Sequence, residues 1–118
     1  MKELSPVRDK SHAFALFLTR VIKRMQENRR ETVLSKECLI AGARIGLEIE
    51  EASVRNNQKN VIMHLSSATK YARESQYWLR LLRDMTYIDK EDADKLIADS
   101  YELSHLLTLI IKDATEAD

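Results

Sequence analysis

Only two glycines, one proline and one cysteine occur in 118 residues. So few turn-forming residues argue against a β-sandwich or barrel, which needs many tight turns. The lone Cys38 has no partner for an internal disulfide, which fits a reducing compartment. No apolar run reaches the roughly 20 residues that span a bilayer. The opening stretch, MKELSPVRDK, lacks the apolar segment of a secretory signal. A soluble cytoplasmic protein without membrane contact is expected. Net charge is zero, so the chain as a whole has no bias toward a polyanionic partner.

What the sequence does have is helical rhythm. Apolar residues make up 44% and charged residues 32%. A chain of this length suits one domain, here residues 1–118, with a core that needs neither disulfide nor metal. Phe14, Phe17, Leu18, Val21 and Met25 repeat at helical spacing after Ser5-Pro6, and this first helix should end near Asn28. Cys38, Gly42, Ile45, Ile49 and Ala52 mark a second helix after Thr32, ended by NNQKN at 56–60. Val61, Leu65, Ala68, Ala72, Ser75, Leu79 and Leu82 mark a third. Ala93, Leu96, Ser100, Leu103, Leu107, Ile110 and Ala114 mark a fourth, with Asp89 as its expected cap and TEAD as a frayed tail.

Alternating steps of four and three mean helices packed nearly along one another. The expected links, roughly 28–32, 55–59 and 84–89, are short and force antiparallel neighbours. The expected fold is all-α, an up-down-up-down four-helix bundle.

Charge is unevenly spread along the chain. Residues 1–30 hold eight basic and three acidic side chains, 31–54 two and five, 55–83 six and one, and 84–118 three and ten. Successive helices therefore have opposite signs, which laces neighbours together and disfavours wrong arrangements. Helix 3 has a second stripe, His64, Ser67, Tyr71, Glu74, Trp78 and Leu81, and helix 1 has a wide apolar face with Leu16 and Ile22. Faces that broad point to burial beyond one bundle, hence self-association.

Carboxylates on helices raise the possibility of a di-metal site, which uses Glu from two helices and Glu-x-x-His from two more. Glu48, Glu50, Glu51, Glu74 and the motif Glu102–His105 supply part of that inventory. At about 100° per residue, His105 points away from the Leu103/Leu107 stripe and Glu102 lies on its outer flank. Glu50 and Glu51 also point outward, and only Glu48 borders the core. There is no second Glu-x-x-His. No metal, no cofactor and no catalytic residue is expected, and no Gly-rich phosphate loop or nucleophile elbow occurs. Cys38 falls on a core stripe, where a thiol behaves as a small hydrophobe.

Basic residues gather in two places. Arg20, Lys23, Arg24, Arg29 and Arg30 cluster toward the end of helix 1. Lys70, Arg73, Arg80 and Arg83 line helix 3 with Tyr71, Tyr77 and Trp78 between them. Such a surface is what nucleic-acid binding requires. A solvated or salt-bridged face is the plainer reading, given the acidic helices 2 and 4.

The stretches VLSKECLIAGARIGLEIEEA and HLSSATKYARESQYWLRLLRD resemble the bacterial four-helix bundle proteins first noted in intervening sequences of large-subunit ribosomal RNA genes. The features that match are Gly42, Ile45, Gly46, Glu51 and Ala52 on helix 2, and Ala68, Ala72, Glu74, Trp78 and Leu79 on helix 3. The resemblance implies a ring-like homopentamer without established enzymatic activity. Similar proteins act as accessory factors of retroelements, where a basic pentamer binds a reverse transcriptase and nucleic acid. The chain departs from the family pattern at Ala41, Ala43, Arg44, Glu48, Tyr71 and Gln76, and its neutral charge differs from those basic factors.

Two readings follow. One is a non-enzymatic homo-oligomeric scaffold or adaptor, with Gly42, Ile45, Gly46, Glu51, Ala52, Ala72, Glu74 and Trp78 as interface or structural residues. The other is a nucleic-acid-binding accessory factor of a reverse transcriptase, using Arg20, Lys23, Arg24, Arg29, Arg30, Lys70 and Arg73. Glycine inside a helix costs roughly 1 kcal/mol relative to alanine. Gly42, toward the inner stripe, and Gly46, at its margin, should therefore mark a close approach. In an oligomer, the outward-pointing Glu51 is placed to meet a basic residue on helix 3 of the same or a neighbouring chain.

Overall fold

The computed structural model describes residues 3–116. Four α-helices follow in order: α1 (Ser5–Arg29), α2 (Val33–Ser53), α3 (Gln58–Asp84) and α4 (Lys90–Glu116). No strand occurs among the described residues. Links of three to five residues, 30–32, 54–57 and 85–89, turn each helix back along the last. Each helix packs on its two neighbours around the ring and not on the diagonal one. The result is an elongated four-helix bundle of 50 × 20 × 19 Å.

The helix ends explain the boundaries. Pro6 sits in the first turn of α1, where its missing N–H costs nothing. The Glu3 carboxylate accepts the Ser5 N–H at 3.1 Å. At α2 the boundary falls at Thr32 as expected, but Thr32 does not cap with its side chain. Instead the Glu31 carboxylate accepts the N–H groups of Leu34 and Ser35 at 2.6 and 3.0 Å. Asn57 caps α3 by accepting the Asn60 N–H at 3.2 Å. Asp89 serves α4 with its main-chain carbonyl, which takes the Ala93 N–H at 2.9 Å. Glu91 and Asp92 in that first turn suit the positive end of the helix dipole. The expected fraying of the tail does not begin at Thr115, because α4 continues through Glu116; Ala117 and Asp118 lie outside the described residues.

The predicted stripes form one core. Leu18, Cys38, Ile45, Ile49, Leu65, Leu79, Leu82, Leu96, Leu103 and Leu107 are fully buried. Burying a Leu or Ile side chain is worth about 1.5–3 kcal/mol, so this interior dominates the stability. The charge blocks meet as their signs require. Arg8 pairs with Glu50 across α1–α2 at 3.0 Å, Lys10 with Glu102 across α1–α4 at 3.0 Å, and Arg83 with Asp94 across α3–α4 at 2.9 Å. These pairs are largely exposed, so each contributes about 0–1 kcal/mol. No helix among the described residues is long and apolar enough to cross a membrane.

Candidate functional site

The sequence features of interest converge on α2 and α3. Of the eight residues read as interface or structural motif, Gly42, Ile45, Ala52 and Ala72 are buried inside the single bundle. They are packing residues of one chain. Small side chains are buried on both helices, Ala41 and Ala52 on α2 with Ala68 and Ala72 on α3. Gly42 faces α1: a Cβ there would lie 2.1 Å from Leu18 Cδ2. Gly46 is looser, with Ser11 Oγ at 3.4 Å from the same notional atom. A close approach is thus found at Gly42, made by a side chain of α1 and not by the helix backbone that the glycines led one to expect.

The second stripe of α3 runs along its seam with α2. His64, Ser67, Tyr71, Glu74, Trp78 and Leu81 are all half-buried there. Part of the breadth of α3 is therefore covered by the chain's own α2. The Arg44 guanidinium lies over the Tyr71 ring, 5.6 Å from its centroid. Trp78 meets Tyr77 edge to face at 5.4 Å. With Glu37 of α2, the residues Lys70, Arg73, Glu74, Tyr77 and Trp78 line an open groove.

Glu48, the carboxylate at the core margin, has a definite partner. Its Oε2 lies 2.7 Å from His64 Nδ1, with side-chain exposures of 21% and 17%. Arg55 Nε donates to His64 Nε2 at 3.4 Å. With Arg55 as donor to Nε2, the tautomer that satisfies both contacts carries its hydrogen on Nδ1 and donates it to Glu48. Arg55 also holds Glu51. Within one chain the partner of Glu51 is thus in the α2–α3 link. The result is a relay of four side chains, Glu48–His64–Arg55–Glu51, that clips the link to both helices. Sequence spacing alone did not join Glu48 to His64. Their separation of 16 residues across a tight turn was the available signal.

The basic residues separate into two groups. Arg24 is engaged with Asp92 at 3.4 Å, and Arg29 donates to the Thr86 carbonyl while lying over the Tyr87 ring. Lys70 leans on Glu74 at 3.8 Å, and Arg83 is held by Asp84 and Asp94. Arg20, Lys23, Arg30 and Arg73 are exposed. Glu102 is taken by Lys10, and no group of three or more His, Cys, Asp or Glu could hold a metal among the described residues. Cys38 is buried, and burial pushes its thiol up to about 12.

One feature escaped the reading of sequence. Val33, Ile40, Leu47 and Val54 are exposed at 73%, 42%, 59% and 71%. They stand at seven-residue intervals: Val33, Ile40 and Leu47 lie on one side of α2, opposite the buried row Cys38–Ile45–Ile49–Ala52, and Val54 is its C-cap. The heptad spacing was visible in the sequence, but the stronger core stripe masked it.

A family model described as 23S rRNA-intervening sequence protein matches residues 3–109. The chain belongs to this family. The 23S rRNA-intervening sequence protein fold is also seen in a solved relative. That crystal structure is a protein of unknown function from the S23 ribosomal protein family of Bacteroides thetaiotaomicron. It is 38% identical, covers 90% of this chain and 98% of its own, and superposes with a TM-score of 0.87. Comparison with curated proteins gave no match. The family assignment and the solved relative thus agree on the fold.

Proposed function

We propose that this protein is a non-enzymatic scaffold or adaptor of the cytoplasm that works as a homo-oligomer, a ring of five copies. The observation that carries the reading is the exposed row Val33, Ile40 and Leu47 on α2 with Val54 at its C-cap. Twenty-one helical steps at about 1.5 Å make it roughly 30 Å long. Apolar side chains scattered singly on a surface need no explanation, but an aligned row along a whole helix marks a contact surface. Burial returns about 25 cal/mol per Å² of apolar area, so a partner that covers the row gains from every residue in it. The number five comes from the family resemblance. The free thiol of Cys38 fits a reducing cytoplasm.

Sedimentation velocity or light scattering at micromolar concentration tests the reading. A mass of five protomers is expected. A monomer at that concentration would overturn it.

A further inference from the structure

The fully buried serines find their partners nearby in the chain. Ser11, Ser75 and Ser100 donate to the carbonyls of Arg8, Ala72 and Ile97 in their own helices, at 3.0, 2.9 and 2.7 Å. Ser35 donates to the Glu31 carbonyl at 2.9 Å. It also accepts from Gln26 Nε2 at 3.1 Å, a direct amide–hydroxyl bond between α1 and α2. Ser104 departs from this pattern. Its Oγ is shut away from solvent and has no partner among the described residues. One other side-chain atom stands in the same position, Gln76 Nε2. Gln76 is only 5% exposed.

The two orphaned groups are on adjacent helices at one level. α3 and α4 run antiparallel across a short link. Arg80 Nη1 stands 3.5 Å from the Tyr101 hydroxyl and Arg83 holds Asp94 at 2.9 Å, which fixes the register of the pair. One turn back from Arg80 along α3 is Gln76, and one turn on from Tyr101 along α4 is Ser104. In an antiparallel pair those two steps lead the same way. Around the helix, Gln76 lies between Arg80 and the fully buried Ala72 and Leu79. Ser104 lies between Tyr101 and the fully buried Leu103 and Leu107. Both groups are therefore set at the inner edge of the α3–α4 seam, and yet they do not bond one another.

A buried N–H or hydroxyl without a partner is costly, and native interiors leave few of them. The two groups are complementary, an N–H donor against an oxygen that can accept or donate. Water joins such groups across a gap too long for a direct bond. We propose that the α3–α4 seam holds one internal water molecule between Gln76 Nε2 and Ser104 Oγ. The water oxygen accepts the amide hydrogen, and a water hydrogen goes to the serine oxygen. Neither side chain carries a charge, which favours a small neutral molecule over an ion. Gln26–Ser35 shows the same two groups closed directly. Gln76–Ser104 is that pair with a water inserted.

A high-resolution crystal structure of the full chain is the direct test. Density for an ordered water within roughly 2.7–3.2 Å of both atoms is expected. A direct bond between amide and hydroxyl, or a gap without density between them, would overturn the site. Substitution gives an independent reading that does not depend on crystals. Ser104→Ala and Gln76→Met each leave one buried group without its bridge, so each should lower the urea midpoint. The double variant Gln76→Met/Ser104→Ala removes both polar groups and releases the water. Its loss should be smaller than the two single losses added together. Single variants with an unchanged midpoint, or losses that simply add, would mean that the two side chains share no molecule, and the proposal would fall.

Discussion

Leu18 of α1 occupies the space in which a Cβ on Gly42 would stand, with its Cδ2 2.1 Å from that point. Leu18 is fully buried and Phe14 Cε2 lies 3.3 Å from the same point, so the side chain has little room to retreat. Gly46, one turn on, meets only Ser11 at ordinary contact distance. The two glycines should therefore respond in opposite ways to alanine. Alanine gains roughly 1 kcal/mol of helix propensity at either site, while overpacking a core costs typically 1–3 kcal/mol. Gly42→Ala should lose about 1–2 kcal/mol in urea denaturation, and Gly46→Ala should gain about 0.5–1 kcal/mol. Equal shifts in both variants would remove the packing argument.

Thr86 closes α3 with a positive φ of 61°. Its N–H goes to the Arg83 carbonyl and that of Tyr87 to Leu82, the pattern in which glycine is the favoured residue. A β-branched residue there is strained. The Arg29 contact uses the Thr86 main-chain carbonyl, so it survives substitution. Thr86→Gly should raise stability by roughly 1 kcal/mol after the entropy of glycine is counted, or about 3–6 °C in Tm. Thermal melts followed by circular dichroism will check it, and a lower Tm would contradict the strain.

Most of the fold was legible because period and link length are local. Val61 to Leu82 and Ala93 to Ala114 kept the four-three rhythm through their whole length, and three short links left one topology. The misses all depend on how two helices are set against each other. Leu18 filling Gly42, and His64 meeting Glu48, need the register of a helix pair, which no single-helix pattern contains. The cap of α2 was not legible, because Glu31, ahead of the Thr32 boundary, is long enough to reach Leu34 and Ser35. The outer row of α2 had a clear period, but only a view of what covers each face separates it from core.

Glu31 makes that cap sensitive to acid. Partial burial raises its carboxyl, but the N–H groups of Leu34 and Ser35 outweigh this and hold it below its ordinary value of 4.5. A carboxyl lowered on folding adds stability that is present above 4.5 and is lost as pH falls through the folded value. Glu31→Ala should cost about 1 kcal/mol at pH 7. As pH falls through that lowered value the wild type loses the charge at this site, so the two proteins should converge. A gap that persists unchanged at pH 3 would show that Glu31 acts by packing instead.

The pair of Glu48 and His64 is the strongest tie across the outer seam of α2 and α3, at 2.7 Å and mostly shielded from water. Partial burial strengthens such a bond and also makes an unpaired member costly. Removing either partner alone should therefore cost more than half of what removing both costs. In a double-mutant cycle, Glu48→Ala and His64→Ala should couple by roughly 1 kcal/mol. Arg55→Ala should leave the Glu48 contact but free Nε2 of its donor. Nitrogen-15 spectra of the neutral imidazole should accordingly show hydrogen on Nδ1 in the wild type, and a larger share of the other tautomer in Arg55→Ala. Additive stability losses would mean that the two side chains stand side by side without acting on one another. The link between α2 and α3 would then be held by Glu51 and Arg55 alone.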